Sequence, residues 1–159
     1  DMVSRGLGDV YKRQVYISHR GNLKGADPKH ENKPSYVEEA LRYFDCEVDL
    51  RFNSIENRFY LGHDLEQYSV NMEWLIKNKD KIWVHCKDFD TLNYLSNTNS
   101  ELNYFWHEHD EYTITSHGFI WTFPGKSVGQ KSVIVDLNFS INAGYEQSAF
   151  GICSDNLKS

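Results

Sequence analysis

The chain is organised around the stretch Val15-Tyr16-Ile17-Ser18-His19-Arg20-Gly21-Asn22. Its short apolar run predicts a β-strand, and the strand ends in a histidine, an arginine and a glycine. Histidine can exchange a proton near neutral pH, arginine is a fixed cation, and glycine allows a sharp backbone turn because it has no Cβ. The pattern therefore indicates a strand that carries reactive groups to its carboxyl end.

Three later stretches repeat this pattern of an apolar strand followed by polar side chains. They read Cys46-Glu47-Val48-Asp49, Leu61-Gly62-His63-Asp64 and Trp83-Val84-His85-Cys86-Lys87. Strand ends from different parts of a chain converge at the carboxyl face of an α/β barrel, and active sites are built there. The four stretches together predict one site at the strand ends.

The strand predicted over residues 46–52 places three charged side chains on one face. Glu47, Asp49 and Arg51 alternate with apolar residues at period two, which puts them on the same side of a strand. That side is either a solvated outer face or, in a small barrel, a face that points into the mouth.

Composition narrows the classes of protein. The 159 residues suit one domain, and 40% hydrophobic residues with four Trp, ten Tyr and nine Phe can fill its core. A net charge of -6 and the lack of a basic run argue against a nucleic-acid binder. No apolar run approaches the roughly 20 residues of a membrane span. Cys46, Cys86 and Cys153 lack CxxC spacing and predict buried free thiols, from which we expect a reducing compartment, the cytoplasm.

Residues 1–14 read DMVSRGLGDVYKRQ, with mixed charge, no periodicity and no apolar core of a secretory signal. We interpret them as a non-native or disordered N-terminal segment. The single domain is then expected to cover residues 15–159.

Three helices are predicted in the first hundred residues. Ser35 and Glu38 form a capping-box pattern for a helix that ends near Phe44. Asn71 is the expected N-cap of a helix over 72–78, and Asp88 that of the next helix. Strands are predicted over 15–17, 46–52, 58–62, 82–86, 102–106, 118–123, 132–137 and 150–153.

The first half thus alternates strand and helix, which is typical of parallel βαβ units. In the second half the links near 107–117 and 124–131 are too short for crossover helices, which need a dozen or more residues. The prediction is an α/β fold, a reduced TIM-type (β/α) barrel with several outer helices shortened or missing in the second half.

The order and spacing of the motifs resemble the glycerophosphodiester phosphodiesterase family, one of the phosphatidylinositol-phospholipase-C-like barrels. The motifs are His19-Arg20-Gly21, Glu31-Asn32, Glu47-x-Asp49 and His63-Asp64. The match is detailed from Val15 to about Lys87, and residues 151–155 resemble the closing strand of that family.

The resemblance implies a metal-assisted phosphodiesterase that acts on a small glycerophosphodiester or related lysophospholipid. His19 and His63 would share general acid–base catalysis, and Arg20 and Lys87 would bind the phosphate. Glu47 and Asp49 would bind a divalent metal, Mg²⁺ or Ca²⁺.

His85 departs from the family pattern because it stands where a third metal carboxylate is expected, two residues before Lys87. Imidazole suits Zn²⁺ or Mn²⁺ better than Mg²⁺ or Ca²⁺. Three outcomes remain open: a softer metal, a metal held by two carboxylates with waters or with Glu108 or Asp136, and weakened or lost metal binding.

Two other functions remain compatible with the sequence. One is a sphingomyelinase-D-like or phospholipase-C-like lyase that gives a cyclic phosphate, and the other is a catalytically degenerate phosphate-binding barrel. The sequence His107-Glu108-His109-Asp110 lacks the HExxH spacing of a zinc helix and predicts pocket wall and loop. Trp121 is expected in the core, facing the substrate.

Overall fold

The computed structural model describes residues 14–143 and 148–159; the expected N-terminal segment lies, apart from Gln14, outside them. The described residues form a mixed α/β fold with few helices. Its helices are α1 (Pro34–Leu41), α2 (Met72–Lys77) and α3 (Phe89–Asn97), followed by a 3₁₀ turn at Ile141–Ala143. Its strands are β1 (Val15–His19), β2 (Asp45–Asn53), β3 (Arg58–Leu61), β4 (Tyr68–Val70), β5 (Ile82–Cys86), β6 (Asn103–Phe105), β7 (Tyr112–Ile114), β8 (Ile120–Thr122), β9 (Ser132–Val135) and β10 (Gly151–Ser154).

The strands join into one sheet whose main path runs β6-β5-β2-β1-β10-β9-β8-β7. Neighbours are parallel from β6 to β8, and β7 closes the path as an antiparallel partner of β8. The nine-residue strand β2 continues beyond β1 and pairs antiparallel with β3, which in turn pairs with β4. All parallel strands therefore point their carboxyl ends to the same edge.

The sheet is curled, because strands from its two ends pack against each other. Trp121 of β8 contacts Trp83 of β5 and Phe105 of β6, with ring centroids 5.9 and 4.7 Å apart. Ile17, Val133 and Cys153 complete this inner cluster. A second, larger cluster lies on the other face, where α1, α2 and α3 cover β2 and β5. The inner cluster is the floor beneath the strand ends.

The structure confirms the predicted α/β fold with a mostly parallel sheet and few helices in the second half. It does not confirm a closed TIM-type barrel. Ser116 donates a backbone hydrogen bond to Tyr104, so the chain after β7 touches β6. However, no strand ladder joins β6 to β7 or β8 within the described residues. The architecture shown is a curled half-barrel.

Two helix caps were predicted correctly and one was not. Asn71 and Asp88 each accept a backbone hydrogen bond at the start of α2 and α3. The capping box at Ser35 is wrong, because α1 starts at Pro34 and ends at Leu41. Proline is preorganised for the first helical position, where its missing N–H costs nothing. Glu38 instead accepts a hydrogen bond from Trp74 Nε1 at 2.8 Å.

None of the helices in the described part of the chain has the length and apolar character that a membrane crossing requires.

Candidate functional site

On the inner face of the sheet, apolar side chains pack in the inner cluster. The next inward-facing residue along the strand lines a pocket above that cluster. On β1, Ile17 lies in the floor and His19, two residues on, lines the pocket. The same step of two leads from Trp83 to His85. Successive side chains of a strand alternate between faces, so a step of two keeps the same face while moving up the strand. The strand ends therefore build the pocket, as the sequence predicts.

The pocket has a volume of about 760 Å³. Its lining includes both charged side chains and apolar or aromatic ones. Its charged and polar lining residues are His19, Arg20, Glu47, His63, His85, Lys87, His107, Glu108, His109, Asp136 and Asn138, and its apolar ones are Trp121, Phe123, Pro124, Val135 and Leu137.

Glu47, Asp49 and His85 form a compact cluster in which one ligand atom of each residue lies within 4.8 Å of the others. His85 Nδ1 is 3.5 Å from Glu47 Oε2 and 3.4 Å from Asp49 Oδ1. The carboxylates are 2% and 0% exposed, so their face of β2 points inward and not to solvent. Glu47 Oε1 and Asp49 Oδ1 have no hydrogen-bond partner among the described residues. Buried carboxylate oxygens without a partner are costly, and a bound cation would satisfy them.

The ring of His85 is held in one orientation. Its Nε2 lies 3.0 Å from the carbonyl oxygen of His107, so Nε2 carries the proton and donates it. The ring stacks on Phe105 at 5.1 Å with an interplanar angle of 16°. Burial acts to lower the pKa of His85, but the two carboxylates outweigh it and raise that pKa from 6.5 to about 9. Without a metal, His85 is therefore a cation between two anions.

Asp49 is fixed from the other side by the loop after β1. Its Oδ2 accepts a hydrogen bond from Asn32 at 2.8 Å and pairs with Arg20 Nε at 2.9 Å. Burial acts to raise the pKa of Asp49, and the neighbouring His85 and Arg20 more than reverse it and hold that pKa below its ordinary value. Arg20 also reaches Glu31 at 3.2 Å. The guanidinium predicted to bind phosphate is thus already engaged by two carboxylates.

The turn that presents Arg20 requires unusual backbone angles. Arg20 has φ of 60° and Gly21 has φ of 95°. A Cβ on Gly21 would lie 2.6 Å from the ring of Tyr36. A non-glycine residue at positive φ is strained, and such strain persists where the surroundings enforce it. The predicted glycine turn after His19 is confirmed.

His19 is oriented by Asp155, which the sequence analysis did not include in the site. Asp155 Oδ1 lies 2.7 Å from His19 Nδ1 and also accepts a hydrogen bond from Asn22 at 2.8 Å. Nε2 of His19 faces Glu47 Oε1 at 3.9 Å. Burial acts to lower the pKa of His19, but Asp155 and Glu47 outweigh it and raise that pKa. The signal that could have found Asp155 is its spacing. Asp155 comes two residues after Cys153, whose side chain lies in the inner cluster, just as His19 comes two residues after Ile17.

His63 stands on a separate loop that Arg51 holds in place. Arg51 donates to the carbonyl oxygens of Gly62 at 2.9 Å and of His63 at 2.5 Å. A Cβ on Gly62 would lie 1.9 Å from the carbonyl oxygen of Leu65, so this turn admits only glycine. His63 Nδ1 pairs with Asp64 Oδ1 at 2.7 Å, and its side chain is 41% exposed. His63 is therefore paired with a carboxylate through Nδ1, as His19 is, but its side chain is more exposed to solvent.

The remaining predicted residues also reach the pocket. Lys87 lines it, and Trp121, 5% exposed, lies at its base. His107, predicted as wall, lies beside His85 with ring centroids 6.0 Å apart. Burial and the charge of His85 lower the pKa of His107. All eight residues predicted for catalysis, phosphate binding or metal binding thus meet at this pocket or in its buried cluster.

Comparison of the chain with protein-family models, with curated proteins and with solved structures finds no match in any of the three. The described residues define a class of site, a pocket at parallel strand ends that contains a buried carboxylate–histidine cluster and two histidine–carboxylate pairs.

Proposed function

We propose that the chain is a metal-assisted phosphodiesterase that hydrolyses glycerophosphodiesters or related lysophospholipid phosphodiesters. The observation that supports this proposal is that two histidine–carboxylate pairs and one buried carboxylate–histidine cluster open into a single pocket. The motif resemblance to glycerophosphodiester phosphodiesterases gives the substrate class. We also propose that the curled sheet is a reduced (β/α) barrel, because its parallel strands follow the order expected for one.

Glu47, Asp49 and His85 would hold a divalent cation. Two buried oxygens that lack a hydrogen-bond partner among the described residues, Glu47 Oε1 and Asp49 Oδ1, fit such an ion. A bound cation would neutralise the charge that grows on the phosphate oxygens during displacement. Arg20 keeps Asp49 ionised and in place, which is a different role from the phosphate contact that the resemblance implies.

The two histidines would move protons at their Nε2 atoms. In each ring Nδ1 donates to a carboxylate, Asp155 for His19 and Asp64 for His63, so Nε2 is the atom left for the substrate. One ring takes the proton of the attacking oxygen, and the other gives a proton to the leaving alcohol. The orientation of the substrate decides which ring starts as the base.

The side chains that line the pocket fit a substrate with a charged phosphate at one end and a carbon-rich group at the other. Lys87 supplies a positive charge on the side where the phosphate would lie. Trp121 and Phe123 offer aromatic surface to the carbon part of the substrate and exclude water from it. The three buried free thiols, Cys46, Cys86 and Cys153, support the expected reducing, cytoplasmic environment.

A second candidate function is phosphate binding without catalysis. The observation that favours it is that Arg20 pairs with Asp49, and protonated His85 lies 3.5 Å from Glu47 and 3.4 Å from Asp49, so cations of the chain already neutralise much of the negative charge of both carboxylates. In that state the cluster needs no metal, and the pocket would hold a phosphodiester without cleaving it.

The test is hydrolysis of glycerophosphocholine and glycerophosphoethanolamine by protein stripped of metal and then given Mg²⁺, Ca²⁺, Mn²⁺ or Zn²⁺. We expect metal-dependent release of glycerol 3-phosphate. Phosphorus NMR distinguishes this product from a cyclic phosphate, which would indicate the lyase instead. Binding of the diester without turnover under any ion would favour the second candidate.

The matched variants are His19→Ala and His63→Ala, with His117→Ala as a control. We expect each pocket variant to lose about 10²–10⁴-fold in turnover, the usual contribution of general acid–base catalysis. His117 is exposed and bonds the carbonyl of Glu101, next to the amino end of β6 and away from the pocket. A loss below tenfold in both pocket variants would remove the pair from the mechanism.

A further inference from the structure

We infer that the buried cluster selects a nitrogen-accepting ion, Zn²⁺ or Mn²⁺, over Mg²⁺ and Ca²⁺, with His85 Nδ1 as a direct ligand. The inference deepens the proposed function, because it rests on the cation site proposed there. It concerns binding, so it can be tested whether or not the protein hydrolyses a phosphodiester.

The tautomer of His85 places the lone pair of its neutral ring on the side of the carboxylates. Nε2 lies 3.0 Å from the carbonyl oxygen of His107, and a carbonyl can only accept. The proton of the neutral ring is therefore on Nε2, and the lone pair is on Nδ1. Metal-binding histidines ordinarily donate their second nitrogen to a carbonyl or carboxylate, which fixes the ring. His85 has that arrangement, and its free nitrogen is the one that faces the carboxylates.

The ring of His85 is held rigidly. Its side chain is 13% exposed and stacks almost parallel on Phe105. Rotation about χ2 would break both the stack and the bond to His107. Nδ1 thus stays 3.4 Å from Asp49 Oδ1 and 3.5 Å from Glu47 Oε2, and an ion between the carboxylates cannot avoid it.

The cluster offers few oxygen atoms to a cation. Asp49 Oδ2 is occupied by Asn32 and Arg20, which leaves Oδ1 alone from that residue. Glu47 adds its two oxygens, one of them without a hydrogen-bond partner among the described residues. Ca²⁺ takes six to eight oxygen ligands, and Mg²⁺ favours an octahedron of oxygens. A nitrogen and two carboxylates suit Zn²⁺, which binds imidazole and is held by three or four protein ligands. Mn²⁺ is a softer transition-metal ion that binds imidazole more readily than Mg²⁺ or Ca²⁺ does.

The binding experiment uses the full chain, stripped of metal, at one fixed pH. Zn²⁺, Mn²⁺, Mg²⁺ and Ca²⁺ are titrated separately against a competing chelator, into the parent protein and two variants. His85→Glu supplies an oxygen ligand, and His85→Asn removes the imidazole and puts a shorter neutral side chain in its place. His117→Asn is the control, because its ring also bonds a carbonyl oxygen but lies outside the pocket.

We expect His85→Asn to weaken Zn²⁺ binding by at least about 10- to 100-fold. That is the loss of metal affinity usually seen when a residue that only supports a ligand is replaced, and His85 is inferred to be a ligand itself. His85→Glu should lower the ratio of Zn²⁺ to Ca²⁺ affinity by a similar factor, and His117→Asn should change neither value. An unchanged ratio in His85→Glu would overturn the inference, even if the parent binds Zn²⁺ tightly.

A spectroscopic measurement on the parent protein avoids any doubt about the folding of variants. Pulsed electron paramagnetic resonance of bound Mn²⁺ detects a coordinated imidazole through its coupled nitrogen. We expect that coupling in the parent and its loss in His85→Asn; its absence in the parent would contradict direct ligation. Nitrogen ligation without hydrolysis of any diester would leave this inference standing and count against the phosphodiesterase.

Discussion

The carboxylate of Asp155 is expected to control His19 as a positioning residue. The substitution Asp155→Asn keeps the shape of the side chain and one acceptor oxygen for His19 Nδ1, but it removes the negative charge. The Nδ1–Oδ1 distance of 2.7 Å is that of a charge-assisted hydrogen bond. Asp155 is 9% exposed, so water replaces little of that interaction.

The magnitude follows from the strength of such bonds. A hydrogen bond to a charged group contributes about 1.5–3 kcal/mol, and a neutral one is about half as strong. The variant therefore loses about 0.8–1.5 kcal/mol of support for the protonated ring. If that support is needed in the transition state, kcat/KM falls by about 4- to 13-fold, since 1.36 kcal/mol is tenfold in rate.

The assay measures kcat/KM for glycerophosphodiester hydrolysis against pH, and nitrogen NMR of the imidazoles in the same protein. Because the bond to Asp155 raises the pKa of His19, the variant should titrate His19 at lower pH and shift that limb of the profile with it. Asp27→Asn is the matched control, since Asp27 pairs with His30 at 2.9 Å on the surface. Unchanged kcat/KM and an unchanged His19 titration in Asp155→Asn would refute the positioning role.

Three further predictions concern stability and order. The pKa of about 9 for His85 means that its contribution to folding, up to about 3 kcal/mol, is complete below pH 6.5 and is lost as the pH rises through 9. Urea unfolding of metal-free protein should show the advantage of the parent over His85→Asn shrinking by that amount across this range; a pH-independent difference would contradict it. Gly62→Ala should cost about 1–3 kcal/mol in the same assay because its Cβ meets the Leu65 carbonyl, whereas Gly129→Ala, with open space around it, should stay within about 0.5 kcal/mol. Arg51→Met should speed amide hydrogen exchange at residues 62–65, and equal exchange rates in parent and variant would show that the loop does not depend on it.

Most residues of the pocket could be predicted because their signal is local. An apolar run that ends in polar side chains marks a strand end, and His19, His63 and His85 all carry that signal. Parallel strands bring His19 of β1 and His85 of β5 to one edge, whereas His63 reaches the pocket from β3, which runs antiparallel to β2. The sequence also left open whether Glu47 faces solvent or the mouth, and burial decides for the mouth.

The features that could not be predicted depend on distant partners. The three-residue strands β4 and β7 exist because β3 and β8 pair with them, and they carry little pattern of their own. Asp155 was missed as a site residue because its role comes from His19, which is 136 positions away. The capping box at Ser35 failed for a local reason, since Pro34 one residue earlier is a better helix start.

The position of β10 between β1 and β9 has a consequence for synthesis of the protein. During translation β1 emerges well before β10, its neighbour on that side. Until β10 emerges, β1 and β9 each expose an unpaired parallel edge, which is a surface prone to aggregation. Nascent chains are therefore expected to depend on chaperones until residues 151–154 emerge, and His19 gains its carboxylate partner only once Asp155 has followed.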